Sequence, residues 1–178
     1  RVRGWAIPWH RNFEEVNLRF YVRREADGEL RRGVVFIKEI VPRLAITAVA
    51  RWAYGENYVT HAMRHKIDET ADCIDAAYDI RAAGRWNRIH VRGDGPPEPA
   101  ADGSEAQFIT EHYWGYTRLS NSKSVEYHVA HPSWNLWRNC QAELDLDART
   151  LYGPAQADAL AGEPTSVFIA DGSNVSVH

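Results

Sequence analysis

What is scarce in this chain of 178 residues narrows its chemistry first. Cysteine occurs twice, at Cys73 and Cys140. Two thiols so far apart make neither a disulfide framework nor a zinc-binding set, and they suit a cytoplasmic protein. Lysine occurs only at Lys38, Lys66 and Lys123, although Lys and Arg together number 21. No apolar run approaches the ~20 residues that a membrane-spanning helix needs. There is no polybasic run for an anionic membrane surface. The formal net charge of -3 argues against a general nucleic-acid binder, which is normally basic. Walker, G-x-G-x-x-G, H-E-x-x-H and G-x-S-x-G patterns are all missing. These absences leave a small-molecule ligand as the expected partner, with no nucleic acid, membrane, metal or cofactor. No signal-peptide pattern is visible, and the chain opens on Arg1 rather than Met, so its true start is expected to lie upstream.

What is present is a globular composition, 44% hydrophobic and 25% charged, over a length that suits one domain, 1–178. Seven Trp, eight Tyr and five Phe are a heavy aromatic load, which serves either sheet packing or a pocket wall. The stretch GVVFIKEIVPR at 33–43 organises the rest. It is β-branched and aromatic, bounded by Gly33 and Pro42, and reads as a strand buried on both faces. Lys38 and Glu39 interrupt it. Neighbouring strand residues point to opposite faces, so each charge needs a partner or a wet cavity.

Before that strand, residues 13–22 alternate. Val16, Leu18, Phe20 and Val22 fall on one face, and Glu15, Asn17, Arg19 and Tyr21 on the other. The polar row is either a solvated face or the lining of a barrel interior. Asp27-Gly28 turns the chain, so the two strands are expected to pair antiparallel. A helix is predicted over 44–54, closed by Gly55. Strand 59–67 follows, then a hairpin 76–82 and 85–92 turning at Ala83-Gly84, then a proline-containing loop 93–103. Ser104 and Gln107 form a capping-box pattern for a short helix, 105–111. Strands are expected at 112–117, 125–130 and 140–146, a helix at 152–160, and a last hairpin from 165–170 and 174–177. The sum is a mainly β (α+β) chain, an antiparallel, barrel-like sheet with two or three short helices.

Three groups of residues admit chemistry. His61 and His65 share a face but lack a third ligand, and surface or hydrogen-bonded histidines explain them better than a metal does. His128 and His131 fall on opposite faces of one strand. Lys38 sits in an apolar run, where it is either half of an ion pair or a desolvated amine able to form imines. His112, Tyr113, Trp114 and Tyr116 are the densest aromatic and polar cluster, serving as core or as site.

Seven segments then occur in order: FEEVNLRFYVRR (13–24), GVVFIKEIVPRLAI (33–46), ENYVTHAMRH (56–65), FITEHYWGYTR (108–118), HPSWNLW (131–137), LYGP (151–154) and FIADGSNVSV (168–177). Together they resemble the uncharacterised bacterial YqjF-like proteins, a domain-of-unknown-function family in the acetoacetate-decarboxylase-like superfamily. The resemblance implies a β-barrel or cone of the acetoacetate-decarboxylase-like type, enclosing a small-molecule cavity. It also implies N-terminal strands upstream of Arg1. The fold carries over but the decarboxylase chemistry does not, because the lysines are missing. The adjacent lysine pair of those enzymes falls at Tyr58-Val59, whereas Glu15 falls where they keep a pocket glutamate.

Three expectations follow. The first is a small-molecule-binding barrel whose ligand-binding residues are Glu15, Asn17, Arg19, Tyr21, Arg64, His112 and Tyr116, with Arg19 or Arg64 anchoring a carboxylate. The second is a lyase or hydrolase acting on a small oxo acid, with Lys38 or His112 reactive and Glu15 as acid or base. Its imine form requires Lys38 to face the same cavity as Glu15 and Arg19. The third is a non-catalytic interaction domain with a filled core and an exposed apolar patch.

Overall fold

The structure is a computed structural model that describes residues 13–44, 47, 57–120 and 123–177. The chain is mainly β, and it divides into two compact units. The first comprises Arg1–Thr60, Gly103–Ser133 and Ser173–His178; the second comprises His61–Asp102 and Trp134–Gly172. Among the described residues no sheet closes on itself.

The first unit is built on the predicted hairpin. Strands β1 (Val16–Ala26) and β2 (Glu29–Val41) pair antiparallel from Ala26↔Glu29 to Val16↔Ile40. Asp27 and Gly28 between them both have positive φ, 54° and 78°, the conformation of a tight hairpin turn whose twist matches that of the strands. The register shifts once. Leu18 pairs with Lys38 but Arg19 pairs with Phe36, so Ile37 is an extra residue, a β-bulge.

The bulge sets the faces. Asn17, Arg19, Tyr21 and Arg23 share one face with Glu39, Phe36, Val34 and Arg32. Lys38 shares the other face with Leu18. Strand β3 (Tyr58–Thr60) runs parallel to β2 and sets Tyr58 beside Glu39. Deeper in the sheet, β8 (Trp114–Ser120) lies parallel to β2, β9 (Lys123–Ala130) pairs with β8, and β13 (Ser176–Val177) pairs with β9. Helix α1 (Glu105–Thr110) precedes β8. Ser104 caps it by accepting from the Gln107 amide at 3.1 Å, and the Gln107 side chain accepts from the Gly103 amide at 2.8 Å. The capping-box residues are thus both used, with the second bond one residue earlier than the pattern implies.

The second unit carries the antiparallel sheet β11-β6-β5-β4, made of β4 (Ala62–Glu69), β5 (Cys73–Ala82), β6 (Arg85–Asp94) and β11 (Asn139–Asp145). Its apolar face holds Ile74 and Ile80, and the fully buried Asn87 of β6 stands opposite Ile80. Asn87 donates to the Ile80 carbonyl at 3.3 Å and accepts from the Asp147 amide at 2.7 Å, so its burial is compensated. Asp147 in turn caps α2 (Ala148–Tyr152), which is followed by α3 (Pro154–Ala159). A three-stranded sheet is completed by β7 (Glu98–Pro99), β10 (Asn135–Trp137) and β12 (Ile169–Ala170).

Several expectations change. The strand expected over 59–67 is interrupted at His61, giving β3 and β4 in different units. The predicted 152–160 helix is divided at Gly153, which ends α2 and lets Pro154 open α3. The final hairpin does not form: β12 pairs with β10 and β13 with β9, because each short strand has a longer-range edge to complete. The predicted 44–54 helix lies mostly outside the described residues, of which Leu44 and Thr47 are helical.

Gly33 marks the tightest packing in the central strand. A Cβ there would stand 2.6 Å from the Tyr116 ring and 2.8 Å from the Trp114 carbonyl oxygen, a backbone atom that cannot turn aside. Gly33→Ala is therefore expected to destabilise the protein by about 1–3 kcal/mol, measured by chemical denaturation. An unchanged midpoint would show that β2 and β8 do not pack this closely.

Candidate functional site

The polar row predicted on β1 exists, and the structure divides it into two clusters. At its start, the Glu15 carboxylate accepts from the Tyr58 hydroxyl at 3.1 Å and from Asn17. The carboxyl keeps accessible surface, yet the protein atoms crowded around it raise its pKa, and the bonds from Asn17 and Tyr58 oppose that shift. Glu39, 2% exposed, lies on the same face through its pairing with Asn17 and Tyr58.

The second cluster surrounds Tyr21. Its ring lies 4.5 Å from the His112 ring and 5.3 Å from that of Phe108, and Phe108 meets His112 edge-on at 4.8 Å. Two guanidinium groups stand on these rings. Arg19 lies 5.6 Å from the Tyr21 centroid and donates to its hydroxyl at 3.4 Å; Arg32 lies 5.8 Å from the Phe108 centroid. Arg32 is also directly opposite Arg23 across the hairpin, an unfavourable like-charge pair. Among the described residues, Arg19, Arg23 and Arg32 have no carboxylate partner, whereas Arg24, Arg31, Arg64 and Arg88 each have one.

His112 is 8% exposed. Its Nδ1 lies 3.3 Å from the Ile109 carbonyl oxygen, which can only accept, so the proton is on Nδ1. Nε2 is then a bare acceptor, buried and without a hydrogen-bond partner. Burial holds the His112 pKa down, and the charges of Arg19 and Arg32 add to that against the Ile109 bond, so the ring is neutral.

The remaining candidates lie elsewhere. Tyr116 pairs through Val35 with Phe20, on the opposite sheet face from Tyr21. There Glu126 accepts from Arg24 at 2.8 Å and Arg31 at 2.6 Å, while Arg31 stands 4.4 Å over Trp114. Burial, and then the neighbouring Glu126, raise the Tyr116 pKa. Lys38 leaves the sheet on the Leu18 face, away from Glu15 and Arg19, because of the bulge at Ile37. The geometry required by the imine route is therefore not met. Glu15 and Tyr21 are six residues apart on one extended segment, roughly 20 Å between Cα atoms. That separates Glu15 from His112 as partners at one reacting bond.

Arg64 belongs to the second unit. It donates to Asp79 at 2.7 Å, and Arg88 forks onto both oxygens of the same carboxylate at 2.7 and 3.0 Å. These residues border an open depression of about 330 Å³ floored by Ala77 and edged by His90. His90 lies 3.1 Å from Asp75 and 3.6 Å from Glu143. Because its charges satisfy one another across the strands, this depression has little left to offer a ligand. A second, of about 280 Å³, lies by Pro96 and Arg138. Among the described residues no three His, Cys, Asp or Glu side chains gather to hold a metal ion. No helix of the described residues is long and apolar enough to cross a membrane.

Sequence reasoning missed Arg32 and Phe108. The Arg23–Arg32 opposition was available by counting outward from the Asp27-Gly28 turn; the approach of Phe108 was not, since α1 is distant in sequence.

Fold and site together define a mainly β protein with an arginine- and aromatic-lined row on one sheet face. The chain belongs to the DUF2071 family, described as an uncharacterised conserved protein, which it matches over residues 1–174. No curated protein matches it.

Asp79, 6% exposed, has its pKa lowered to about 2, chiefly by the Arg88 hydrogen bonds. A lowered carboxyl pKa contributes stability that is present above the unfolded value of 3.8 and lost as pH falls through about 2. The two arginine partners are half-exposed, so screening limits the contribution to at most about 2 kcal/mol. Asp79→Asn should unfold more readily than the parent at neutral pH, and the gap should close between pH 3.8 and about 2. A gap that stays constant in acid denaturation would assign its origin to packing instead.

Proposed function

We propose that the first unit binds a small carboxylate-bearing molecule through Arg19 and Arg32, on the row that Tyr21 and His112 complete. The observation that carries this reading is a pair of guanidinium groups held on one aromatic cluster without a carboxylate partner among the described residues. Stacking on a ring orients the guanidinium plane while leaving its N–H fork to meet a carboxylate in two parallel hydrogen bonds. The like-charge opposition of Arg23 and Arg32 costs stability in the free protein, and an anion relieves it.

The resemblance to the YqjF-like proteins and the acetoacetate-decarboxylase-like superfamily supports the same reading. In a barrel or cone of that type the β1 row lines the interior, and Glu15 with Asn17 and Tyr58 forms its far end. Free thiols at Cys73 and Cys140 support a cytoplasmic setting. The lyase or hydrolase alternative draws no support from Lys38, which takes the opposite face, or from Glu15, which stands far from His112 along β1. The interaction-domain alternative needs a contiguous apolar patch. The exposed Phe20 and Leu30 fall on opposite faces of the β1–β2 hairpin, whereas the exposed Ile67 and Leu144 share one face of the β11-β6-β5-β4 sheet and are where that alternative would be tested.

Calorimetric or NMR titration with short mono- and dicarboxylates tests the proposal. Arg19→Gln is expected to weaken binding roughly tenfold to a hundredfold, the range for a lost hydrogen bond to a charged group. Lys38→Gln should bind as the parent does. Equal binding by Arg19→Gln and the parent would move the site away from this row. Borohydride reduction in the presence of oxo acids should leave Lys38 unmodified; an adduct there would restore the imine route.

A further inference from the structure

The neutral imidazole of His112 specifies more than an anion. Its Nδ1 proton is committed to the Ile109 carbonyl, so Nε2 offers only a lone pair. That lone pair is buried and unpartnered, although more than nine-tenths of the residue is covered. Buried polar atoms are nearly always satisfied, so an exception asks for a donor from outside the fold, a water or a ligand. The groups nearest the ring cannot fill it as they stand. Phe108 has no donor, and the Tyr21 hydroxyl, which accepts from Arg19 at 3.4 Å, makes no hydrogen bond to Nε2. That length is at the weak end for a hydrogen bond, so a ligand can exchange with it.

We infer that the ligand is a hydroxy acid, its carboxylate held by Arg19 and Arg32 and its hydroxyl donating to His112 Nε2. This rests on the carboxylate-binding reading above and adds the part of the ligand that lies next to the carboxylate. An oxo acid of the same skeleton presents a carbonyl oxygen where the hydroxyl would be. Two acceptors then face each other and the histidine remains unpaired. Sites built to satisfy a substrate hydroxyl reject the analogue that lacks it far more strongly than apolar pockets reject a missing methylene. The tautomer makes the preference directional. His112 acting as a donor would favour the oxo acid, and the Ile109 carbonyl prevents that arrangement without a proton on both nitrogens. Burial and the two arginine charges oppose the doubly protonated form.

The experiment compares matched pairs: lactate with pyruvate, and 2-hydroxyglutarate with 2-oxoglutarate. Binding to the full chain is measured by NMR titration at up to millimolar concentration. The hydroxy member of a bound pair is expected to bind roughly tenfold to a hundredfold more tightly, as expected when a buried acceptor gains its only donor. His112→Phe keeps a ring against Tyr21 and Phe108 and should erase that preference, so that the hydroxy and oxo members of a pair bind alike. As a readout independent of any variant's folding, the Nε2 nitrogen-15 signal of His112 in the parent protein should shift with hydroxy acids and stay with oxo acids. Equal affinity within pairs, or an unmoved Nε2 signal with both, overturns this inference and leaves carboxylate binding standing; a water molecule then satisfies the histidine. Failure of every member of both pairs to bind overturns the inference together with the carboxylate reading.

Discussion

The pairing of β1 with β2 is the constraint on which the first unit depends. A single extra residue, Ile37, lets Leu18 meet Lys38 while Arg19 meets Phe36. Side chains alternate strictly along a strand, so that one insertion exchanges the faces of everything beyond it. Without it, Lys38 would stand with Arg19 and Glu39 would stand behind. With it, Glu39 joins Asn17 and Tyr58, and the lysine leaves the row. The chemistry that the row can perform is decided here, by backbone register, before any side chain is considered.

Arginine is used in two ways in this molecule. In the second unit, and on the reverse face of the first, arginines pair with carboxylates: Arg64 and Arg88 on Asp79, Arg24 and Arg31 on Glu126. Exposed pairs of this kind contribute little each, but they leave no charge seeking a partner. Arg24, Arg31 and Arg64 stand over aromatic rings as well; Arg19 and Arg32 stand over rings with no carboxylate partner among the described residues. Stacking fixes a guanidinium without consuming its donors. The difference between the two sets lies in the carboxylate, which the arginines around Asp79 and Glu126 have and those around Tyr21 lack among the described residues.

Much of this was legible in the residues. Strict alternation identified β1 and its polar row, and positive-φ turns at Asp27-Gly28 and Ala83-Gly84 located both long hairpins. Ser104 announced α1. What escaped depended on partners far along the chain. Nothing local distinguishes a bulge at Ile37, and β10 and β12 are too short to alternate. Tyr116 and Tyr21 are expected in one pocket from the 112–116 cluster and the β1 row, yet the parallel pairing of β8 with β2 sends them to opposite faces. Arg64 looked like a natural carboxylate anchor until the β4–β5 register set Asp79 directly across from it.

The hold of the Ile109 carbonyl on His112 carries one more implication. Most histidine-based recognition is adjustable: acidify the medium and an acceptor becomes a donor. Here the polarity of the buried Nε2 is written by the main chain at the end of α1, and burial, with the charges of Arg19 and Arg32 behind it, opposes protonation of the ring. The side chain's hydrogen-bonding sense is thereby set by backbone geometry: as long as the ring stays neutral, Nε2 can accept and cannot donate.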